Sequence, residues 1–231
     1  MSRPRAHRTR SEGESSNLGR ACQTNYRVTV MGAAGVGKTC IISQFLHAKF
    51  YAKYKATVEE FHRQIFYQSD GSSLVLDILD TSGAYAFPAM RRLSISTSDA
   101  FVLVYSVDDP ASFDEVKRLR EQIIEEKEDE MTPIVIVGNK SDVTGERRAL
   151  ERVTIESTVN IDWNNGYVEA SAKDNLNIGD IFNELMVQAD MHVSLGSTGD
   201  HKRRTSLPAF NSNCKNDALE ILRKQDSCRI S

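Results

Sequence analysis

The stretch that decides the fold is GAAGVGKTC, Gly32 to Cys40. YRVTVM (Tyr26–Met31) precedes it and IISQFLH (Ile41–His47) follows. The first flank alternates in hydrophobicity and predicts a strand. In the second, Ile41, Ile42, Phe45 and Leu46 recur at helical spacing. The glycines therefore lie at a strand-to-helix turn, and Gly32-Ala33-Ala34-Gly35-Val36-Gly37-Lys38-Thr39 fits G-x-x-x-x-G-K-[ST]. Such a turn points backbone N–H groups inward at an anion, and side chains would obstruct them. The helix behind it presents its positive end to the same anion. Lys38 supplies a compact charge for the β- and γ-phosphates, and the Thr39 hydroxyl a ligand for Mg2+. The expected phosphate cradle runs from Gly32 through Cys40.

Working outward, FHRQIFYQSDGSSLVLDILD reads as two strands joined around Asp70-Gly71. FPAMRRLSIST is a short amphipathic piece, and AFVLVYSV is the apolar run of a buried parallel strand. Ser112 and Glu115 form a capping-box pattern that opens a helix through FDEVKRLREQIIEEKE. PIVIVGNK is another buried strand, followed by a weaker helix around Leu150–Val159 and a short strand at YVEA. IGDIFNELMVQADMHV reads as the closing helix. Alternating strands and helices predict an α/β fold with a mostly parallel six-stranded sheet and helices on both faces, and with the GAAGVGKT turn at a strand end it resembles a P-loop NTPase. The expected organisation is a disordered basic tail over 1–24, a nucleotide-binding domain over 25–193 and a flexible tail over 194–231.

The chain has 231 residues, enough for one sizeable core with tails. A net charge of −3 offers no general attraction for nucleic acid, so none is expected as a partner. No apolar run approaches the roughly 18 residues of a membrane span, and the N-terminus does not read as a secretory signal. Cys22, Cys40, Cys214 and Cys228 form no C-x-x-C pair, which points to reduced thiols in the cytosol. His47, His62 and Trp163 have no partner residues in sequence and read as packing or surface groups.

Three further motifs end predicted strands. Asp80-Thr81-Ser82-Gly83 puts a carboxylate at the crevice where α/β sheets bind ligands. There Asp80 can hold a water of Mg2+, and the Gly83 N–H can approach a terminal phosphate. In Asn139-Lys140-Ser141-Asp142, the Asp142 carboxylate suits the paired N1–H and 2-amino donors of guanine, which adenine lacks. In Ser171-Ala172-Lys173 a backbone N–H can meet the guanine oxygen.

In this order and at these places, the motifs of Tyr26–Val193 resemble the Ras superfamily of small GTPases. LDILDTSG…FPAMRRLSI is most similar to the dexamethasone-induced Ras-like and Rhes branch. The resemblance implies GTP/GDP and Mg2+ as ligands, with Lys38, Thr57 and Gly83 as catalytic contacts. It implies Thr39, Thr57 and, through water, Asp80 around the metal. Tyr51–His62 resembles the first switch, with Tyr54, Thr57, Val58, Glu59 and Glu60 in the effector region, where Tyr54 matches a residue that covers the nucleotide. Ala56 stands where many relatives have proline. The second switch spans about Asp80 to Arg92. An exchange factor and a GTPase-activating protein are implied, without identities.

Hydrolysis in this family relies on a glutamine after D-x-x-G to orient water, and here Gly83 is followed by Ala84. Ala34 stands where many relatives have glycine, and its methyl would crowd a glutamine or arginine finger. The expectation is retained binding with slow hydrolysis. The alternative is a binding module that stays loaded with GTP. A P-loop ATPase or kinase is a weaker reading, disfavoured by Asp142.

Cys228-Arg229-Ile230-Ser231 fits C-a-a-X and predicts farnesylation of Cys228. The expected location is then the cytoplasmic face of the plasma membrane or another membrane. One lipid binds marginally, so Lys202-Arg203-Arg204 and Arg223-Lys224 are expected to add attraction to an anionic surface. RRTSLP places Ser206 three after Arg203 and two before Pro208. It resembles a basophilic kinase site that, once phosphorylated, suits a 14-3-3 groove.

Overall fold

The computed structural model describes residues 23–191, apart from 54, 68–71 and 84–87, together with Leu195. In chain order the elements are β1 (Gln23–Met31), α1 (Lys38–His47), β2 (Glu60–Tyr67), β3 (Ser73–Asp80), α2 (Pro88–Thr97) and β4 (Ala100–Ser106). Then come α3 (Pro110–Lys127), β5 (Ile134–Asn139), α4 (Arg152–Ser157), β6 (Gly166–Glu169) and α5 (Ile178–Gln188). They build a six-stranded sheet in the order β2-β3-β1-β4-β5-β6. Every pairing is parallel except β2 with β3, which run antiparallel from Glu60 opposite Asp80 to Tyr67 opposite Ser73. The turn expected at Asp70-Gly71 lies outside the described residues.

Strands β4 and β5 are buried at every position, as a parallel strand covered on both faces must be. On one face, α1 and α5 pack over Val28, Val30 and Val102, and the Phe45 and Phe182 rings stack at 3.8 Å. On the other, Phe113, Val116, Leu119 and Ile123 of α3 cover Met31, Phe101 and Leu103. Ile155 of α4 joins this second cluster. Trp163 stacks on Phe113 at 5.9 Å beneath the Arg120 guanidinium, so it is a packing residue. Leu195 is buried in the first cluster.

Local signals misplace some boundaries. The capping box at Ser112 does not form. Asp109 caps α3 instead, accepting from the Ala111 N–H at 3.1 Å, with Pro110 in the first turn. Ser112 lies inside that turn, where its hydroxyl accepts from the Ser106 N–H and donates to the Asp109 carbonyl. Asp109-Pro110 was the better start signal, because proline there gives up an N–H the helix does not use. The helix expected over Leu150–Val159 begins at Arg152 and continues as a π-helical turn over Thr158–Asp162. Helix α1 stops at His47, where Ala48 turns left-handed and its N–H returns to the Gln44 carbonyl at 2.9 Å.

Burial pushes the Tyr105 phenol up to about 12, and burial with the Asp99 charge does the same to Tyr26. An unfolded chain releases these protons near pH 10. Between about pH 10 and 12 the folded state therefore holds protons that the unfolded state has lost, and stability falls across that window. Denaturant midpoints measured through this range are expected to decline, and Tyr105→Phe to flatten the decline.

Candidate functional site

The loop ends of β1, β3, β5 and β6 meet at one edge of the sheet. Chain geometry there explains the glycines. Gly32 leaves β1 with φ +142°, and a Cβ on it would overlap the Val104 carbonyl. Gly37 enters α1 with φ +101°, and a Cβ there would overlap the Asn139 amide. Gly83 is pressed so closely on the Ala34 backbone that it too leaves no space for a side chain. The loop after β3 therefore rests directly on the phosphate loop.

Lys38 is buried at the mouth of α1, its ammonium donating to the Gly32 carbonyl at 3.0 Å and the Ala33 carbonyl at 2.8 Å. Burial lowers its pKa to about 8, against the opposing pull of Asp80. The Thr39 hydroxyl donates to Asp80 Oδ2 at 2.6 Å and lies 2.8 Å from the Thr57 hydroxyl. Three oxygens from three separate segments thus converge. Asp80 is fully buried, and its Oδ1 has no hydrogen-bond partner among the described residues. Burial raises its pKa despite the Thr39 hydrogen bond and the Lys38 charge. An orphaned carboxylate oxygen beside two hydroxyls suits a hard divalent cation that keeps part of its water shell. The residues therefore fit Mg2+.

The base side is organised by Asn139. Its Nδ2 donates to the Val36 carbonyl at 2.7 Å, and its Oδ1 accepts from the Ala172 N–H at 3.1 Å. Asn139 thus acts as a tie between loops, and the Ala172 N–H is engaged by it. Asp142 accepts from the Ser171 hydroxyl at 2.7 Å and from Lys173 Nζ at 3.2 Å. Burial opposes ionisation there, but these two donors hold its carboxyl below the usual range. Lys140 is paired with Asp108 at 3.5 Å.

One cavity of about 840 Å³ opens onto all four motif loops. Ala34, Gly35, Gly37, Lys38, Thr39, Cys40, Thr57 and Gly83 line its phosphate side. Asn139, Lys140, Asp142, Ala172 and Lys173 line the other. Gly32, Ala33, Val36, Asp80 and Ser171 are not among its lining residues and support those that are. Phe50, Lys53 and Lys55 also line the cavity; sequence reasoning left Phe50 out and gave the two lysines no role beyond lying in the first switch. Phe50 is 40% exposed and offers a flat apolar surface on which a base can stack. The pair of lysines around position 54 was the legible signal of an anion site. Val58 beside Thr57 is 87% exposed. Tyr54, Ala84, Ser206 and Cys228 lie outside the described residues.

Residues 27–191 match the Ras family. The chain is 44% identical over 188 residues to the mouse GTP-binding protein Rhes, covering 78% of this chain and 70% of that protein. It is 42% identical over 165 residues to the mouse GTP-binding protein Di-Ras2, covering 70% and 80%. To the GTP-binding protein drn-1 of Caenorhabditis elegans it is 38% identical over 180 residues, covering 77% and 81%.

Replacing Asn139 by alanine strands a buried carbonyl and a buried N–H. At about 1–3 kcal/mol for each unsatisfied group, Asn139→Ala is expected to lower stability by roughly 2–6 kcal/mol. Urea unfolding of the ligand-free protein measures this loss.

Proposed function

The chain belongs to the Ras family of small GTPases, which bind GTP and GDP with Mg2+ and hydrolyse GTP, and on that premise we propose a membrane-attached guanine-nucleotide switch with slow intrinsic hydrolysis. The observation that carries the reading is the meeting of Thr39, Thr57 and Asp80 oxygens beside a cavity that also holds Asp142. Thr57 belongs to the segment between α1 and β2, so its contact with Thr39 couples that loop to the phosphate site. A γ-phosphate that orders Thr57 and Gly83 would be read by an effector through exposed neighbours such as Val58.

Lys38 holds the terminal phosphates in place, and the Thr39 and Thr57 hydroxyls fix the cation side. Mg2+, when bound, neutralises charge on the β- and γ-phosphates. Aiming water is a separate task, and the residue after Gly83 is Ala84, which has no amide to do it. Ala34 lines the cavity, and its backbone is in close contact with Gly83. A methyl there crowds the space that a water-orienting or partner-supplied group needs. An arginine finger with correct water placement contributes about 10³–10⁵ in rate, roughly 4–7 kcal/mol of barrier. Single-turnover GTP hydrolysis is therefore expected to be slow in the wild type and faster in Ala84→Gln or Ala34→Gly. Rapid wild-type turnover that neither change improves would refute slow hydrolysis.

A second reading, a module that stays GTP-loaded, follows if Ala34 and Ala84 reduce hydrolysis to nearly nothing. The nucleotide retained on purification separates the two: GDP marks a cycling switch, and intact GTP a loaded module.

Among the described residues no helix is long and apolar enough to cross a membrane. We assign attachment to prenylated Cys228 assisted by Lys202-Arg203-Arg204 and Arg223-Lys224. Phosphorylation of Ser206 would offset that basic cluster and create a site for 14-3-3. Cys228→Ser is expected to move the protein from the membrane pellet to the supernatant, as read by fractionation of cells expressing the full chain.

A further inference from the structure

Directly beneath the two base loops runs a layer of polar side chains, none of which lines the nucleotide cavity. Tyr105 of β4, Gly138 of β5 and Glu169 of β6 stand opposite one another across three neighbouring strands. The next residue on β5 is Asn139, and Ser171 follows Glu169 by two. The layer is thus the floor on which the base loops stand.

Its bonds form one chain. The Tyr105 and Tyr167 hydroxyls are 2.9 Å apart, and Tyr167 donates to Glu169 Oε1 at 3.1 Å. Arg148 donates to the same carboxylate oxygen, and its Nε donates to the Leu150 carbonyl at 3.0 Å. The Glu169 backbone carbonyl accepts from Asn177 at 2.7 Å. Glu169 is 8% exposed and Tyr105 is 1% exposed, so losing a partner cannot be made good by water. Gly138 is confined by the same layer: a Cβ on it would lie 2.7 Å from the Tyr105 hydroxyl and 3.3 Å from Glu169 Cγ.

The ends of this chain matter for function. Arg148 follows Asp142 by six residues, on the segment leaving the first base loop. Glu169 lies on the strand entering the second. The two loops also meet in front, through Asp142 with Ser171 and Lys173. A base that leaves the cavity must part Asp142 from its hydrogen bonds, which is easier if the two loops can separate behind it.

We propose that Arg148, Glu169, Tyr167 and Tyr105 form a positioning brace that holds the two base loops together and so sets how long a guanine nucleotide stays bound. The brace acts through Asp142 and Asn139 and does not touch the nucleotide. This rests on the guanine-nucleotide reading above.

The test is dissociation of a fluorescent GDP from the full chain, chased with excess GDP. Arg148→Ala, which leaves the buried Glu169 carboxylate without its cation, and Glu169→Gln, which removes the charge that Arg148 pairs with, are each expected to release it about tenfold faster. Arg148→Lys, which keeps the charge but loses the second bond, should fall between. Tyr167→Phe removes one hydroxyl only and serves if the charge variants fail to fold; it is expected to speed release by about threefold. The change should be of the same size with and without Mg2+, because the brace lies on the base side. Val116→Ala opens a cavity under α3 and is the control for lost stability, its release expected within twofold of wild type. The proposal is overturned if the brace variants release GDP at the wild-type rate. It is equally overturned if Val116→Ala, at the same loss of Tm, accelerates release as much as Arg148→Ala. Failure of the wild type to capture any fluorescent GDP would remove the nucleotide reading, and the brace with it.

Discussion

One side chain amide holds the site together. Asn139 reaches from the end of β5 to the phosphate loop on one side and to the loop after β6 on the other. Its position is dictated by the sheet, since β5 is fully buried between β4 and β6 and has no freedom to shift. Gly37 must lack a side chain because this amide occupies the space. The phosphate and base halves of the cavity are therefore positioned by the same two hydrogen bonds. The packing of two hydrophobic layers on the sheet serves, functionally, to fix where that amide stands.

Around this anchor, the charges are in unfavourable surroundings. Lys38 is buried against backbone carbonyls and its pKa is lowered, while Asp80 is buried with an unpartnered oxygen and its pKa is raised. Both shifts run toward the neutral forms, which is the signature of groups lacking full compensation from the protein. A polyphosphate and a divalent cation provide the missing opposite charges. Such arrangements trade folding stability for binding chemistry. By contrast, Asp142 is well supplied with donors and its carboxyl is held ionised by them.

Much of this was legible in the chain. The apolar runs that end in GAAG, DTSG and GNKSD exposed the strand ends, and alternation separated β1 from the continuous strands β4 and β5. The glycines and motif residues carried the site because they have few other uses at a strand end. What escaped depends on distance in space. Ser112 looks like a cap on local pattern, but Asp109-Pro110 starts the helix and Ser106 engages the serine. The role of Asn139 as a tie needs Val36 and Ala172, which are 103 and 33 residues away. Phe50 reaches the cavity through a loop whose path no periodicity encodes. The tyrosine and glutamate of the polar layer are each unremarkable in a strand, and acquire meaning only when β4, β5 and β6 are laid side by side.

The strand order has a consequence for synthesis. Strand β1 is made early, yet its neighbours are β3 and β4, and it pairs with β4 only from Val28, opposite Ala100, onward. At about 5–20 residues per second on a ribosome, the phosphate loop waits for its supporting strands to emerge. The wait lengthens for the Ala172 N–H that Asn139 needs, which lies on the far side of β6. A nascent chain can thus display the glycine-rich turn well before it has a pocket, and nucleotide capture must wait until the segment carrying Ala172 has emerged.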